Sequence, residues 1–250
     1  MKTAFIITSA INFKGSTLIE TIERLQQVIH TIDSINSRVK DADIFLIDSG
    51  QTVLSQDILD LIPKDVTVLS VSQNPKIEKI QKDAESFSEK ASPKYSKPGK
   101  SHEDIKNFLR IGYIKSITEH FMLNTVFDMY DFSNYDLVFK ISGRYFLNDK
   151  FSLQNYSNSS ISVKLLKNQD SVCTMIWSFP GSKFMKIKNG WGSLLVQMDS
   201  RFKRQINTDI EEGIFLTYIN GKSSSDYLNV PILGISGIVN NPFGKTLQSL

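Results

Sequence analysis

The chain has almost no cysteine and no long apolar run, and both absences limit what it can be. Cys173 is the only cysteine in 250 residues, so no disulfide can form within the chain and the fold must depend on its core. The first apolar run, Ala4–Ile7, is too short for a signal-peptide core, and no segment approaches the length of a membrane span. We therefore expect a cytoplasmic protein without a transmembrane segment.

The chain also has only a small excess of positive over negative charges. The formal net charge is +3, which is too small to indicate nucleic-acid binding, and we expect no nucleic-acid partner. Hydrophobic residues make up 40% of the chain and charged residues 22%, values that are ordinary for a globular protein. The composition does not predict the oligomeric state.

Three common catalytic and nucleotide-binding motifs are missing. The sequence has no G-x-S-x-G segment, which gives hydrolase chemistry no support. It has neither G-x-G-x-x-G nor G-x-x-x-x-G-K-[ST], which argues against a dinucleotide site and a P-loop ATP site.

The first third of the chain alternates between strand and helix patterns. Ala4–Ile7, Ile44–Ile47 and Val66–Val71 read as strands. Apolar residues at helical spacing predict an amphipathic helix over Thr17–Ser37, and a shorter helix over Ile58–Ile62. This pattern is typical of a doubly wound α/β domain with right-handed crossovers.

The rest of the chain is less regular. Ser, Lys, Pro and Gly dominate Asp83–Ser101, which predicts a mobile loop and a candidate lid over a bound ligand. Ser101 is a plausible cap for a long helix that contains Asp104 in its first turn. Further strands are predicted at Ile161–Leu166, Val172–Trp177 and Phe184-Met185, and further helices at Leu194–Arg204 and at Thr208–Tyr218 with Thr208 as its cap.

The most informative segment is Tyr135–Phe151, which reads YDLVFKISGRYFLNDKF. It begins as a buried strand and breaks at Ser142-Gly143, with the cations Lys140 and Arg144 on either side. Many α/β enzymes present a group to a phosphorylated ligand from a glycine-opened loop that follows a buried strand.

Ligands of open α/β sheets bind outside the carboxyl ends of the strands, and three such ends carry polar residues here. The candidate binding residues are Thr8, Ser9 and Ala10 after the first strand, Asp48, Ser49 and Gly50 after the second, and Lys140, Ser142, Gly143 and Arg144 at the central strand. The alternative is structural: Asp48 is then a turn former before Gly50, and Thr8 and Ser9 belong to a simple loop.

These segments together resemble a known family. The TSA loop, the ETIERL helix, the IFLIDSG strand end, YDLVFKISGRYFLND, DIEEGIFLTYI and LGISGIV are similar to GT-A-type nucleotide-sugar glycosyltransferases, especially small bacterial and large-DNA-virus enzymes with a K-[IL]-S-G-R-Y segment. The resemblance implies one α/β domain over residues 1–250, with a mixed, mainly parallel sheet flanked by helices. It implies a nucleotide-sugar donor bound by residues 1–145, a glycan, lipid-linked or protein-linked acceptor bound by residues 146–250, and a role such as polysaccharide biosynthesis.

The chain departs from that family at the metal-binding motif. Such enzymes usually carry Asp-x-Asp at the exit of the central strand, where this chain has Ser142-Gly143-Arg144. A manganese or magnesium cofactor is thus left open, and fixed cations are an alternative way to stabilise a leaving diphosphate. Arg144 can fork onto two phosphate oxygens, with Lys140, Lys97 or Lys100 adding charge. Arg144 could instead pair with a carboxylate and only hold its loop.

An inverting transferase needs a carboxylate base for the acceptor hydroxyl. Asp209, Glu211 and Glu212 cluster at a predicted helix start, and the resemblance favours Glu211 and Glu212. The alternative for each is a solvated capping residue.

Two other functions compete with glycosyl transfer. A nucleotidyltransferase that makes an activated sugar would usually show a Gly-rich basic loop after the first strand, and Thr8–Lys14 shows none. A binding module that kept the fold and lost catalysis would fit the missing Asp-x-Asp. Cys173 is interpreted as a buried thiol, and Trp177 and Trp191 as core residues or as stacking platforms for an acceptor sugar.

Overall fold

A seven-stranded sheet with the order β3-β2-β1-β4-β7-β6-β8 forms the centre of the computed structural model, and a three-stranded sheet, β10-β9-β5, lies beside it. The structure describes residues 1–12, 17–50, 52–95, 98–166, 171–222, 226–241 and 244–250. The strands are β1 Thr3–Ser9, β2 Asp43–Asp48, β3 Val66–Ser70, β4 Leu137–Ser142, β5 Tyr145–Leu147, β6 Ile161–Leu165, β7 Val172–Phe179, β8 Tyr227–Asn229, β9 Ile235–Asn241 and β10 Gly244–Ser249.

Most strands of the large sheet run in one direction. β1 pairs in parallel with β2 and with β4, and β2 pairs in parallel with β3. β7 is antiparallel to both β4 and β6, and β6 is parallel to β8. The predicted α/β class, with a mixed and mainly parallel central sheet flanked by helices, is therefore confirmed. Because β7 is reversed, its beginning lies at the same edge as the end of β4.

Helices cover both faces of the sheet. The helices are α1 Leu18–Arg38, α2 Gln56–Leu59, α3 Pro75–Ala91, α4 His102–Met129, α5 Phe184–Lys203 and α6 Ile210–Ile214. Buried residues of α1 form one core with those of β5 and β9, whereas α3, α4, α5 and α6 build a second core on the opposite face. Alternate residues of β4 serve the two cores: Val138 packs toward α4, and Phe139 packs toward α1.

The two long helices that flank the sheet begin with reciprocal caps. Thr17 accepts a hydrogen bond from the amide of Glu20, whose carboxylate accepts one from the Thr17 amide. Ser101 and Asp104 form the same arrangement at the start of α4, where the sequence predicts Ser101 as the cap. The predicted α1 differs from the observed one by a single residue at each end.

The predicted mobile loop at Asp83–Ser101 is wrong over its first half. The residues up to Ala91 belong to α3, which begins with Asn74 as cap and Pro75 in its first turn. Its buried residues recur at helical spacing, and they include Ala84, Phe87 and Ala91. The serine-rich composition misleads because Ser88 is fully buried and donates its hydroxyl to a backbone carbonyl of the same helix. Lys97 lies outside the described residues, as do the last two residues of Thr8–Lys14.

Two boundaries in the second half also differ from the prediction. Phe184-Met185 is not a strand but the start of α5, which buries Phe184, Ile187 and Trp191 on one face. The cap of α6 is Asp209 and not Thr208, because the Asp209 carboxylate accepts from the Glu212 amide. α6 then continues as a π-helical turn, Phe215–Ile219.

Side chains singled out as core candidates are buried. Cys173 is a buried free thiol, and burial raises its pKa, so the interpretation as a structural cysteine agrees with its surroundings. Trp177 and Trp191 stack on each other with their ring centroids 5.8 Å apart, and both lie in the core, so neither is exposed as a platform for a sugar. Within the described ranges, no helix combines the length and apolar character that crossing a membrane requires.

Candidate functional site

Asp48, at the end of β2, joins the exits of two neighbouring strands. Its carboxylate is fully buried, and its two oxygens accept hydrogen bonds from the amides of Ile11 at 2.8 Å and Gly50 at 2.9 Å. Burial raises the pKa of Asp48 to about 6, although both hydrogen bonds and the charge of Arg24 lower it. The side chain is thus more than a turn former, because it fixes the β1 and β2 exits relative to each other.

The backbones of the three strand exits are also connected. The amide of Gly143 donates to the carbonyl of Thr8 at 2.9 Å, and the amide of Ser49 donates to the carbonyl of Ser9 at the same distance. Thr8 is buried, whereas Ser9, Ala10 and Ser49 are half-buried. The structure therefore brings together the predicted residues after β1, β2 and β4 at one edge of the sheet.

Two glycines are required by close approach. A Cβ on Gly50 would lie 2.7 Å from an Asp48 carboxylate oxygen and 2.9 Å from the carbonyl of Asn12. A Cβ on Gly143 would lie 2.9 Å from Cγ2 of Val28 on α1. The β4 exit thus packs directly against α1, which leaves no room for a side chain at that point.

Arg144 follows Gly143 in this turn and is half-buried. Within the described part of the chain, its guanidinium takes part in no side-chain hydrogen bond or ion pair. The structural alternative, in which Arg144 pairs with a carboxylate to hold its loop, therefore finds no partner among these residues. A cation in this state at the edge of the sheet is available to a ligand.

Arg24 is a second cation at this site, and sequence reasoning missed it. Arg24 lies one turn before Val28 on α1, so it shares the helix face that packs against the Gly143 turn. Its pKa is lowered by burial and then by the charge of Arg144, while Glu20 and Asp48 act in the opposite direction. The arginine is within the ETIERL helix, but helical periodicity alone could not show which strand exit it would face.

Arg24 and Arg144 thus lie on two elements that pack against each other at Gly143, and the buried carboxyl group of Asp48 lies at the same edge of the sheet. Glu20 and Asp48 offset part of the mutual repulsion between the two guanidinium groups. An anion with several oxygens, such as a phosphate or diphosphate, would relieve that repulsion and accept bidentate hydrogen bonds from both groups.

Lys140 is predicted from the sequence to bind the diphosphate. In the structure it is buried beneath the carboxyl edge of the sheet and is not exposed at that edge. Its side chain is fully buried and forms an ion pair with Glu119 of α4. Its ammonium also donates to Ser142 Oγ at 3.1 Å and to the carbonyl of Thr174 at 2.8 Å. Two donors of the ammonium are thus used in hydrogen bonds inside the protein, and its charge is paired with that of Glu119.

The three acidic candidates at α6 differ in their surroundings. Glu211 accepts a hydrogen bond from Thr174 Oγ1 at 2.8 Å, which connects it to the start of β7 at the carboxyl edge of β4. Glu212 faces the other way, toward Arg201 at 2.8 Å and Thr208 Oγ1 at 2.6 Å. Asp209 caps the helix, and burial raises its pKa. Of the three, Glu211 alone contacts the strand next to β4.

Tyr145 contributes a hydroxyl to the same region. It is 5% exposed, and its ring lies against Gly237, where a Cβ would approach the ring to 2.3 Å. Burial raises the pKa of Tyr145, the charges of Cys173 and Glu211 raise it further, and Arg144 opposes them. The phenol of Tyr145 therefore stays protonated to a higher pH than that of a free tyrosine.

Lys100 is not brought together with the other candidates. It precedes α4, and Glu119, which contacts Lys140, lies seventeen residues after the first residue of that helix. At 1.5 Å per residue this separation is roughly 26 Å, well beyond the reach of a lysine side chain. In the ranges that the structure describes, no group of three or more His, Cys, Asp or Glu side chains is arranged to hold a metal ion.

Comparison with known proteins adds little to this picture. No family model matches the chain, and no curated protein sequence matches it. Among solved structures, the apo form of mouse xyloside xylosyltransferase 1 aligns with 91% of this chain and 84% of its own, at 8% identity and a TM-score of 0.43. A likeness at this level does not indicate an activity.

Proposed function

We propose that the chain is a glycosyltransferase that moves a sugar from a nucleoside-diphosphate donor to a glycan, lipid-linked or protein-linked acceptor. The observation that carries this proposal is the packing of α1, which bears Arg24, against the turn that bears Arg144, with Glu211 bonded to the neighbouring strand β7 at the same edge. The sequence resemblance to GT-A-type enzymes points to the same activity. Residues 1–145 would supply the donor side, and Thr174 and Glu211 from the second half would face the acceptor.

In this proposal the two arginines bind the diphosphate. Negative charge builds up on the departing diphosphate as the sugar–phosphate bond breaks, and fixed guanidinium groups stabilise that charge without having to reorganise. The amides and hydroxyls at the β1 and β2 exits, including those of Ser9 and Ser49, would contact the nucleoside or the phosphates. Asp48 would hold these exits in register.

Glu211 would act as the general base toward the acceptor hydroxyl. The bond from Thr174 Oγ1 orients its carboxylate and leaves the second oxygen for the acceptor. Glu212 already serves Arg201 and Thr208, so it is the weaker candidate despite its position in the sequence motif. Among the described residues, no cluster of three or more His, Cys, Asp or Glu side chains would hold Mn²⁺ or Mg²⁺, so no step of this proposal is assigned to either ion.

A thermal-shift screen of nucleoside diphosphates and nucleotide sugars, each with excess chelator and with Mn²⁺ or Mg²⁺, tests the proposal. We expect at least one nucleoside diphosphate to raise the melting temperature of the wild type and to have a much smaller effect on Arg144→Ala. Arg204→Ala is the matched control, because Arg204 is exposed at the end of α5. Binding that depends on the metal and is indifferent to Arg144 would contradict the cation clamp.

Sugar release or transfer from the donor that binds in that screen then tests catalysis. Nucleotide binding without either reaction would favour the catalytically inactive binding module. No stabilisation by any nucleotide would contradict the proposed function as a whole.

A further inference from the structure

Lys140 is an unusual residue to find at the centre of a sheet. It is 0% exposed, on a strand whose neighbours on both sides are also buried. Removing an ammonium group from water is costly, and an ion pair with Glu119 only partly compensates for that cost. An apolar residue of similar length would be expected at this position if stability alone were at stake.

The contacts of Lys140 extend both to the turn that carries Arg144 and to the strand that contacts Glu211. On the cationic side, its ammonium donates to Ser142 Oγ, two residues before Arg144. On the acidic side, it donates to the carbonyl of Thr174, whose hydroxyl donates to Glu211. A single buried side chain therefore connects the turn that carries Arg144 with the strand start that orients Glu211.

α4 provides the fixed point for this connection. Glu119 is buried in the middle of α4, which packs along the face of the sheet opposite α1. The ion pair sets where the Lys140 ammonium lies, and the ammonium in turn sets the positions of Ser142 and Thr174. No other residue in the described part of the chain contacts both of these groups through a charged side chain.

We propose that Lys140 is a positioning residue that keeps the anion-binding turn and the Glu211 carboxylate at a fixed separation. It does so without touching the substrate, because its ammonium is enclosed within the protein. The proposal rests on the proposed function for its catalytic consequence, but the fixed separation is a property of the free protein and can be measured without a substrate.

The decisive variant is Lys140→Met with Glu119→Met, which replaces the ion pair by apolar side chains of similar volume. Such replacements often leave a protein as stable as before, whereas removing one partner leaves a buried charge unpaired. The matched control is Lys188→Met with Asp128→Asn. Lys188 also pairs with α4 and donates to a backbone carbonyl, that of Phe127, but far from the carboxyl edge.

Hydrogen exchange measured by mass spectrometry on the free proteins reports the separation directly. We expect the double variant to melt near the wild type but to exchange faster in residues 142–145 and 172–176 and in residues 209–213. Peptides from β1 and β2 should not change, and the control variant should show no change at these sites. A double variant with wild-type melting and wild-type exchange would overturn the proposal.

Ser142→Ala is the second variant, and it serves if the double variant does not fold. It removes one acceptor of the Lys140 ammonium and leaves the ion pair intact, so only residues 142–145 should exchange faster. Unchanged exchange there would contradict a role for Lys140 in holding that turn. Once a donor is known, the turnover of the double variant should fall about 100-fold, which is typical of a small misplacement of reacting groups. A wild type that binds no nucleotide would refute the proposed function and leave the exchange result to decide on Lys140.

Discussion

The hydroxyl of Thr174 donates to Oε1 of Glu211 at 2.8 Å, and this bond connects the reversed strand β7 to the acidic start of α6. β7 enters the sheet at the edge where β4 leaves it, so a residue far along the chain lies at the same edge as the turn that contains Arg144. The acidic and cationic candidates of the site thus come from opposite halves of the sequence.

Replacing Glu211 should separate catalysis from stability. We expect Glu211→Gln to lower turnover about 10²–10⁴-fold, the range for loss of a general base, with little change in melting temperature. Glu212→Gln should keep turnover within a few-fold of the wild type and lower the free energy of unfolding by about 1 kcal/mol, because it loses a partly exposed contact to Arg201. Steady-state kinetics and thermal unfolding of both variants check this. A larger loss of turnover in Glu212→Gln than in Glu211→Gln would identify Glu212 as the general base.

Arg24 should contribute to anion binding along with Arg144. Removing one charge-assisted hydrogen-bonding group costs about 1.5–3 kcal/mol, so we expect Arg24→Met to weaken nucleoside-diphosphate binding about 10–100-fold. The affinity should also depend less on salt than in the wild type, since one cation is lost. Calorimetric titration at two salt concentrations measures both effects, with Arg204→Met as control. An unchanged affinity would show that Arg24 lies outside the binding site.

Asp48 should make stability depend on pH. Its pKa of about 6 in the folded chain lies above the ordinary value of 3.8, so the folded state binds the proton more strongly than the unfolded state. Its stabilising contribution is therefore complete below about pH 4 and is lost as the pH rises through about 6.

The expected loss is about 3 kcal/mol, from about 1.4 kcal/mol for each pH unit between the two values. Asp48→Asn cannot titrate, and its amide nitrogen would face the Gly50 amide in one orientation or that of Ile11 in the other. Urea unfolding of both proteins between pH 4 and pH 7 measures the difference between their free energies of unfolding. That difference should shrink as the pH rises, and a constant difference would contradict the raised pKa.

The capping boxes provide a test of the helices that flank the site. Thr17→Ala and Ser101→Ala each remove a side chain that accepts from a backbone amide, and each should lower the free energy of unfolding by about 1 kcal/mol. Ser193→Ala is the control, because Ser193 is exposed inside α5 and donates to a carbonyl of its own helix. It should be neutral or slightly stabilising. Equal effects of all three substitutions would show that the caps contribute nothing specific.

The sequence was sufficient for the parts of the fold that depend on local pattern. The strands β1, β2, β3 and β4 were predicted from short apolar runs, and α1 and α4 from periodicity and caps. It was also sufficient to place polar residues at the strand exits, because parallel strands end at a common edge. Composition failed at α3, where two serines, one of them the buried Ser88, and several exposed lysines concealed an apolar stripe.

Long-range geometry accounts for what the sequence could not show. Arg24 is recognisable only once α1 is seen against the β4 exit, and Thr174 only once β7 is known to be reversed. Lys140 and Lys100 are both cations near predicted site elements. The structure buries Lys140 in the sheet and leaves Lys100 just before the first residue of α4. Glu211 and Glu212 are neighbours in the chain, and only tertiary contacts separate their roles.

The two hydrogen bonds that Asp48 accepts from Ile11 and Gly50 have a consequence for engineering. The loop after β1 and the loop after β2 cannot be exchanged separately for those of another protein. The Asp48 carboxylate would lose one of its two amide donors, and Gly50 would no longer face the Asn12 backbone that it fits. A graft that transfers both loops together with Asp48 should keep its conformation, whereas a graft of one loop alone should lose it.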